Sequence, residues 1–181
     1  MNHYGGKELA ASFRTVRGNT LQVAEDIPEE KYSFRAAPDT RSVRELLTHI
    51  AVSMSFQEEV NVKQKRTSME GFDFPALLER MAAEEKKPRT KAELIELLRT
   101  SGENWAKWLE GTSDAFLAES VAMPPGGSLP WRTRFDMLLS VKEHEMHHRG
   151  QLMLIERIVG VVPHLTRERQ ARMAAQQAAK K

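Results

Sequence analysis

Three histidines fall within five residues in the stretch E-H-E-M-H-H-R-G-Q, Glu143 to Gln151. Imidazole is the side chain best suited to hold a divalent ion or move a proton near neutral pH, so the spacing decides what this stretch can do. On a helix turning about 100° per residue, His148 lies about 40° from His144. Met137, Val141, Leu152, Ile155 and Val159 fall in the same narrow arc, whereas His147 and Glu143 point away from it. His144 and His148 are therefore expected one turn apart on a buried face. Burying two imidazoles without partners is costly, and a shared metal gives each ring one. In L-L-T-H-I-A-V-S, His49 shares a stripe with Leu46, Ser53, Phe56 and Val60, so it too is expected to face the core. If the two helices are neighbours, His49, His144 and His148 form a three-imidazole set with an open fourth position. Zinc, nickel and other first-row divalent ions suit that donor set. The alternative is three independent core histidines. His3 and His164, near the ends, are expected to be solvated.

The same letters fit two other metal motifs. His144-Glu145-Met146-His147-His148 satisfies H-E-x-x-H, but Gln151 and Leu154 stand where a metzincin extension needs Gly and His. The later carboxylates, Glu156 and Glu168, are badly placed as a downstream ligand. Glu145 to His148 also reads E-x-x-H, the di-iron bundle element. Glu45 and His49 are four apart rather than three, so there is no second copy. A single metal is the better reading. Gln151, close to the stripe by angle, and Glu145, at its edge, are candidate assistants. Their plainer roles are a helix–helix hydrogen bond and an exposed charge. Gly150 is expected to permit close helix packing, and Arg149 to lie at a surface or interface.

These residues need helices to position them. Apolar residues at helical spacing predict a first helix over about 7–26, closed by Pro28. After a two-proline linker, Ser42-Val43-Arg44-Glu45 is a capping box opening a second helix to about Val62. A weaker helical piece covers about 75–85. Thr90-Lys91-Ala92-Glu93 caps a third long helix, reaching about Leu109, with Gly102 inside it marking a close neighbour. The turn-rich P-P-G-G-S-L-P precedes a fourth helix over about Trp131 to Val159, stopped by Gly160. No segment alternates as a strand does. Four long helices with two long connections predict an all-α four-helix bundle in one domain, 1–163, followed by a basic Ala/Gln-rich tail, 164–181.

Composition narrows the function. The 181 residues carry 27 Lys+Arg against 25 Asp+Glu, a net charge of +2, and show no basic stripe of the kind nucleic-acid binders use. No cysteine is present, which excludes disulfides, Cys-ligated metal and a cysteine nucleophile. Neither a leader nor an apolar run near 18 residues is visible, so a cytoplasmic location without membrane contact is expected.

The chain resembles the DinB/YfiT-like family of bacterial metal-binding four-helix bundles. The resemblance rests on R-S-V-R-E-L-L-T-H-I-A at 41–51 and H-E-M-H-H-R-G-Q-L at 144–152, with the helix order, over most of 5–160. It implies a bundle with a long crossover connection and a metal, commonly zinc or nickel, held by His49, His144 and His148. It also implies a homodimer. Some relatives resemble thiol S-transferases using a low-molecular-weight thiol, while many have no known activity. Since the chain has no Cys, such a thiol would come from a co-substrate. Two function classes stay open: a metal-dependent enzyme on a small electrophile, by S-transfer or hydrolysis, and a non-catalytic metal- or ligand-binding bundle of a stress response.

Overall fold

A computed structural model describes residues 4–126 and 129–180. His3 and the centre of the P-P-G-G-S-L-P connection lie outside the described residues. The long helices are α1 (Gly6–Asp26), α2 (Val43–Val52), α5 (Lys91–Glu110) and α7 (Arg134–Ile158). Their starts follow from local chemistry. Ser42 Oγ accepts from Glu45 N while Glu45 returns to Ser42 N, and Thr90 and Glu93 repeat the arrangement. Gly160, at φ 86°, turns the chain after α7 in a conformation that costs most other residues energy.

The contacts fix the order. Gly6 packs against Leu109 and Thr112, whereas Lys91 reaches the carbonyls of Glu25 and Ile27, so α1 and α5 are antiparallel. Lys142 lies beside Ser12 and Glu145 beside Arg17, so α1 and α7 are parallel. The α2 helix packs on both α5 and α7, diagonal to α1. The linker after α1, with a 3-10 turn at Glu29–Lys31, crosses that diagonal. A longer crossover carries α4 (Phe74–Glu85), which lies along α2. The result is the expected bundle with a long crossover. No helix among the described residues is long and apolar enough to cross a membrane.

Three features differ from the sequence reading. Beyond Val52 the second helix loosens at Ser53–Met54, resumes as α3 (Ser55–Gln57) and widens into a π-helical turn, Glu58–Lys63. Trp131 does not begin the last long helix. Trp131–Thr133 is β2, paired antiparallel with β1 (Ser120–Ala122) after the short α5–β1 helix α6 (Asp114–Ala118), and Thr133 Oγ1 then caps α7. His164 is buried, not solvated. It opens α8 (His164–Ala178), its Nε2 3.2 Å from Asn19 Oδ1, while Arg167 pairs with Asp26 at 2.6 Å.

Glu156, on the face of α7 that meets this seam, is fully buried, and neither carboxylate oxygen has a hydrogen-bond partner among the described residues. Burial, and secondarily the charge of Asp26, push its pKa up to about 7 from 4.5. The folded chain thus keeps a proton that the unfolded chain releases. Stability from this group is full below pH 4.5 and is lost as pH rises towards 7. Glu156→Gln is expected to raise stability at pH 8 by roughly 3 kcal/mol and to flatten the decline between pH 4.5 and 7. Urea denaturation across that range measures both.

Candidate metal centre

Two antiparallel helices bring the imidazoles together. From α2, His49 Nε2 lies 3.2 Å from His144 Nε2 of α7, and His148 Nε2 lies 3.1 Å from the same atom. The three ligand atoms all fall within 4.8 Å of one another. His148 is buried, and His49 and His144 are half-buried. His147 is exposed and stands outside the set.

The outer nitrogens decide what the inner ones can be. His49 Nδ1 lies 2.8 Å from Glu85 Oε1, and a carboxylate only accepts, so Nδ1 carries the proton and Nε2 a lone pair. His148 Nδ1 lies 2.8 Å from Gln151 Oε1, with the Gln151 amide nitrogen 3.2 Å from His147 Nε2. That orientation makes His148 Nδ1 the donor and again leaves Nε2 as a lone pair. Both lone pairs meet His144 Nε2, which carries at most one proton in a neutral ring. The three nitrogens cannot satisfy one another.

A divalent cation resolves this. Tetrahedral Zn–N bonds of about 2.0–2.1 Å set the nitrogens about 3.3 Å apart, close to the 3.1 and 3.2 Å of the two pairs that share His144, with the third pair within 4.8 Å. Protonation does not compete at neutral pH. Burial and then the neighbouring imidazoles hold His144 down to about 4, and burial lowers His49 and His148, against the opposing hydrogen bonds of Glu85 and Gln151.

Glu85 gave no sequence signal. It ends the weakly patterned α4, 36 residues after His49, and is itself held by Arg41 Nε at 2.7 Å. Arg41, Glu85 and His49 form a line that fixes the ring's tautomer and orientation. Glu85→Ala is expected to weaken zinc binding by about 10- to 100-fold without unfolding the protein; chelator competition reads the loss.

The other candidates take different places. Gln151 serves His148 rather than bridging helices. Glu145 is not an exposed charge. It is buried, turned away from the imidazoles, and receives Arg17 Nε and Nη2 at 2.9 Å each. Gly150 permits no close packing, since nothing among the described residues lies within 4 Å of where a Cβ would stand. Arg149 is half-buried rather than at the surface, with Nε and Nη1 enclosed and without a hydrogen-bond partner among the described residues.

Two pockets touch the centre. One, of about 640 Å³, is lined by His148, Gln151, Glu85 and a rim of charged residues including Arg35, Arg41 and Lys86. Most of these charges are already matched, Arg35 to Glu45 and Arg41 to Glu85. The other, of about 410 Å³, is lined by His49 and His144 and is walled mainly by Phe56, Phe74, Leu77, Leu78, Met81 and Val141. Ser53 and Ser140 also line it, but their hydroxyls donate to the carbonyls of Ile50 and Met137, so neither is poised as a nucleophile.

Comparison with known proteins agrees with this architecture. The profile of the DinB superfamily matches residues 12–152. YjoA of Bacillus subtilis, an uncharacterized protein, is 25% identical over 153 residues, 84% of this chain and 90% of YjoA. The crystal structure of YjoA, described as DinB-like, aligns with a TM-score of 0.61 at 24% identity, covering 84% of this chain and 92% of that one. YfiT from Bacillus subtilis aligns with a TM-score of 0.66 at 14% identity, covering 89% and 91%. It is described as "a probable metal-dependent hydrolase with an unusual four-helix bundle topology".

Proposed function

The chain belongs to the DinB superfamily, and from that premise we propose that it is a divalent-metal-dependent enzyme acting by hydrolysis on a small molecule. The observation that carries this reading is the meeting of imidazole lone pairs at one point, beside a pocket of ligand size. The description of YfiT as a metal-dependent hydrolase supports it. A divalent cation held there supplies Lewis acidity and makes a water, or a thiol, nucleophilic near neutral pH. The protein's own contributions are separable. His49, His144 and His148 are the ligands, and zinc or nickel suits them. Glu85 and Gln151 hold two of the rings in the tautomer that faces inward. The apolar walls of the smaller pocket hold the substrate body and keep bulk water from it.

With no cysteine in the chain, S-transfer would take a soluble thiol in place of water. Zinc- and nickel-loaded protein incubated with a panel of aryl and alkyl esters, with and without low-molecular-weight thiols, separates the readings. Turnover without thiol, lost in His49→Ala, supports hydrolysis. Turnover only with thiol replaces it by transfer, and a stoichiometric metal with neither reaction leaves a binding protein.

A further inference from the structure

The smaller pocket has a mixed lining. One part of its lining is the imidazole pair, and the rest includes residues of the segments flanking those helices, α3 after α2 and β2 before α7. Gln57 stands eight residues past His49, at the end of α3 and beyond the loosened Ser53–Met54 step. Arg132 stands twelve residues before His144, on the antiparallel strand. Both line the same pocket as the histidines and the apolar side chains.

The orientation of the Gln57 amide is dictated by a chain of donors. A guanidinium can only donate, so Arg134 Nη1, 2.8 Å from Asn61 Oδ1, makes that atom the amide oxygen. Asn61 Nδ2 must then be the donor 2.7 Å from Gln57 Oε1. With its oxygen so engaged, Gln57 has its N–H₂ to present elsewhere. Glu119 holds Arg134 Nε at 2.8 Å, which anchors the series. Asn61 lies in the π-helical turn and is buried, as Gln57 is. A π turn recurs at functional sites, and here it carries Asn61, the residue that holds the Gln57 amide. Arg132 uses Nε and Nη2 on Asp136, at 2.5 Å to Oδ2 and 3.3 Å to its carbonyl, and among the described residues Nη1 has no partner, which leaves it for a ligand.

Metal ligands, apolar walls and hydrogen-bond donors in one pocket describe a ligand of matching chemistry. The geometry points to an elongated substrate with its reacting group at the histidines, an aryl or short alkyl body, and a carboxylate or carbonyl oxygen at the far end, received by Gln57 and Arg132. This assignment rests on the metal reading above and makes Gln57 and Arg132 the residues that determine specificity.

Two hydroxamates test it: octanohydroxamate, and the hydroxamate of the same chain length that ends in a carboxylate. Calorimetric titration of zinc-loaded protein is expected to show the carboxylated probe binding about 10-fold tighter, the usual worth of hydrogen bonds to a charged group. The preference is expected to vanish in Gln57→Leu and in the more exposed Arg132→Met, while both keep zinc and their affinity for octanohydroxamate. Equal affinities in zinc-loaded wild type, or no binding of either probe, would overturn the assignment and leave the metal reading standing. Failure of the wild type to take up zinc or nickel would remove both.

Discussion

His144→Ala is expected to lower the affinity for zinc or nickel by about 100-fold or more, the share of one ligand among several in a binding energy of about 10–16 kcal/mol. His144 is the sharpest single test because its Nε2 is the atom that both other imidazoles approach. Titration calorimetry and elemental analysis measure the loss, with about one metal per wild-type chain. Metal-free stability should move the other way. Removing the ring relieves two lone pairs of an unsatisfiable neighbour, so the apo variant is expected to melt no lower than apo wild type. Adding zinc should then raise the melting temperature of the wild type more than that of the variant, by mass action on the folded state. His147→Ala, which removes an exposed ring outside the set, is expected to keep near-stoichiometric metal. Metal uptake unaffected by His144→Ala would return these residues to ordinary packing.

The convergence of the three imidazoles was readable because helical spacing reports a face, and the two faces that carry them turn toward one another. The partners of those rings were not readable in the same way. Glu85 comes from α4, a segment with little apolar patterning, and reaches His49 only because the crossover lays that helix along α2. Glu145 shows the limit of a wheel. Its angle places it at the edge of the histidine stripe, where an exposed charge is expected, but α7 is covered on a wide arc, and α1 and α5 enclose that side.

Fold and boundaries divide along similar lines. Capping boxes at Ser42 and Thr90 mark helix starts because their hydrogen bonds are local. The hairpin escapes notice since strands of three residues, Ser120–Ala122 and Trp131–Thr133, are too short to alternate, and their pairing spans a turn-rich connection. The π turn at Glu58–Lys63 has no periodic signature and is stabilised from outside its own segment, by Arg134 on Asn61. His164 follows a proline near the chain end, a position where solvation is the reasonable expectation. Its burial depends on α8 turning back toward Asn19 of α1.

Arg17→Met is expected to cost about 3–5 kcal/mol of folding stability, because it strands the Glu145 carboxylate in the core. Two of the apolar clusters among the described residues lie along the bundle, one around Val23, Leu47, Leu98 and Leu152, the other around Phe13, Trp105 and Leu138. Arg17 and Glu145 lie at the waist between them, 3% and 1% exposed, so each ion has only its protein partners for solvation. Those partners are complete. Arg17 Nε and Nη2 grip the carboxylate, while Nη1 donates to the carbonyl of Leu98 at 2.6 Å and to Ser101 Oγ at 3.2 Å. Gly102 makes the fit possible, as a Cβ there would stand 2.8 Å from Arg17 Cγ and Nη1. Breaking one side of such a pair is severe, but replacing both sides with apolar groups is often close to neutral. Arg17→Met/Glu145→Met is accordingly expected to recover most of the loss, a coupling that a cycle of urea denaturations measures directly. Glu145 follows His144 in the chain and shares its helix with His148, so the pair also fixes the rotation of α7 against α1. The double variant should fold yet hold zinc more weakly than wild type. Full zinc affinity in that variant would show that the imidazoles are positioned by α2 and α4 alone.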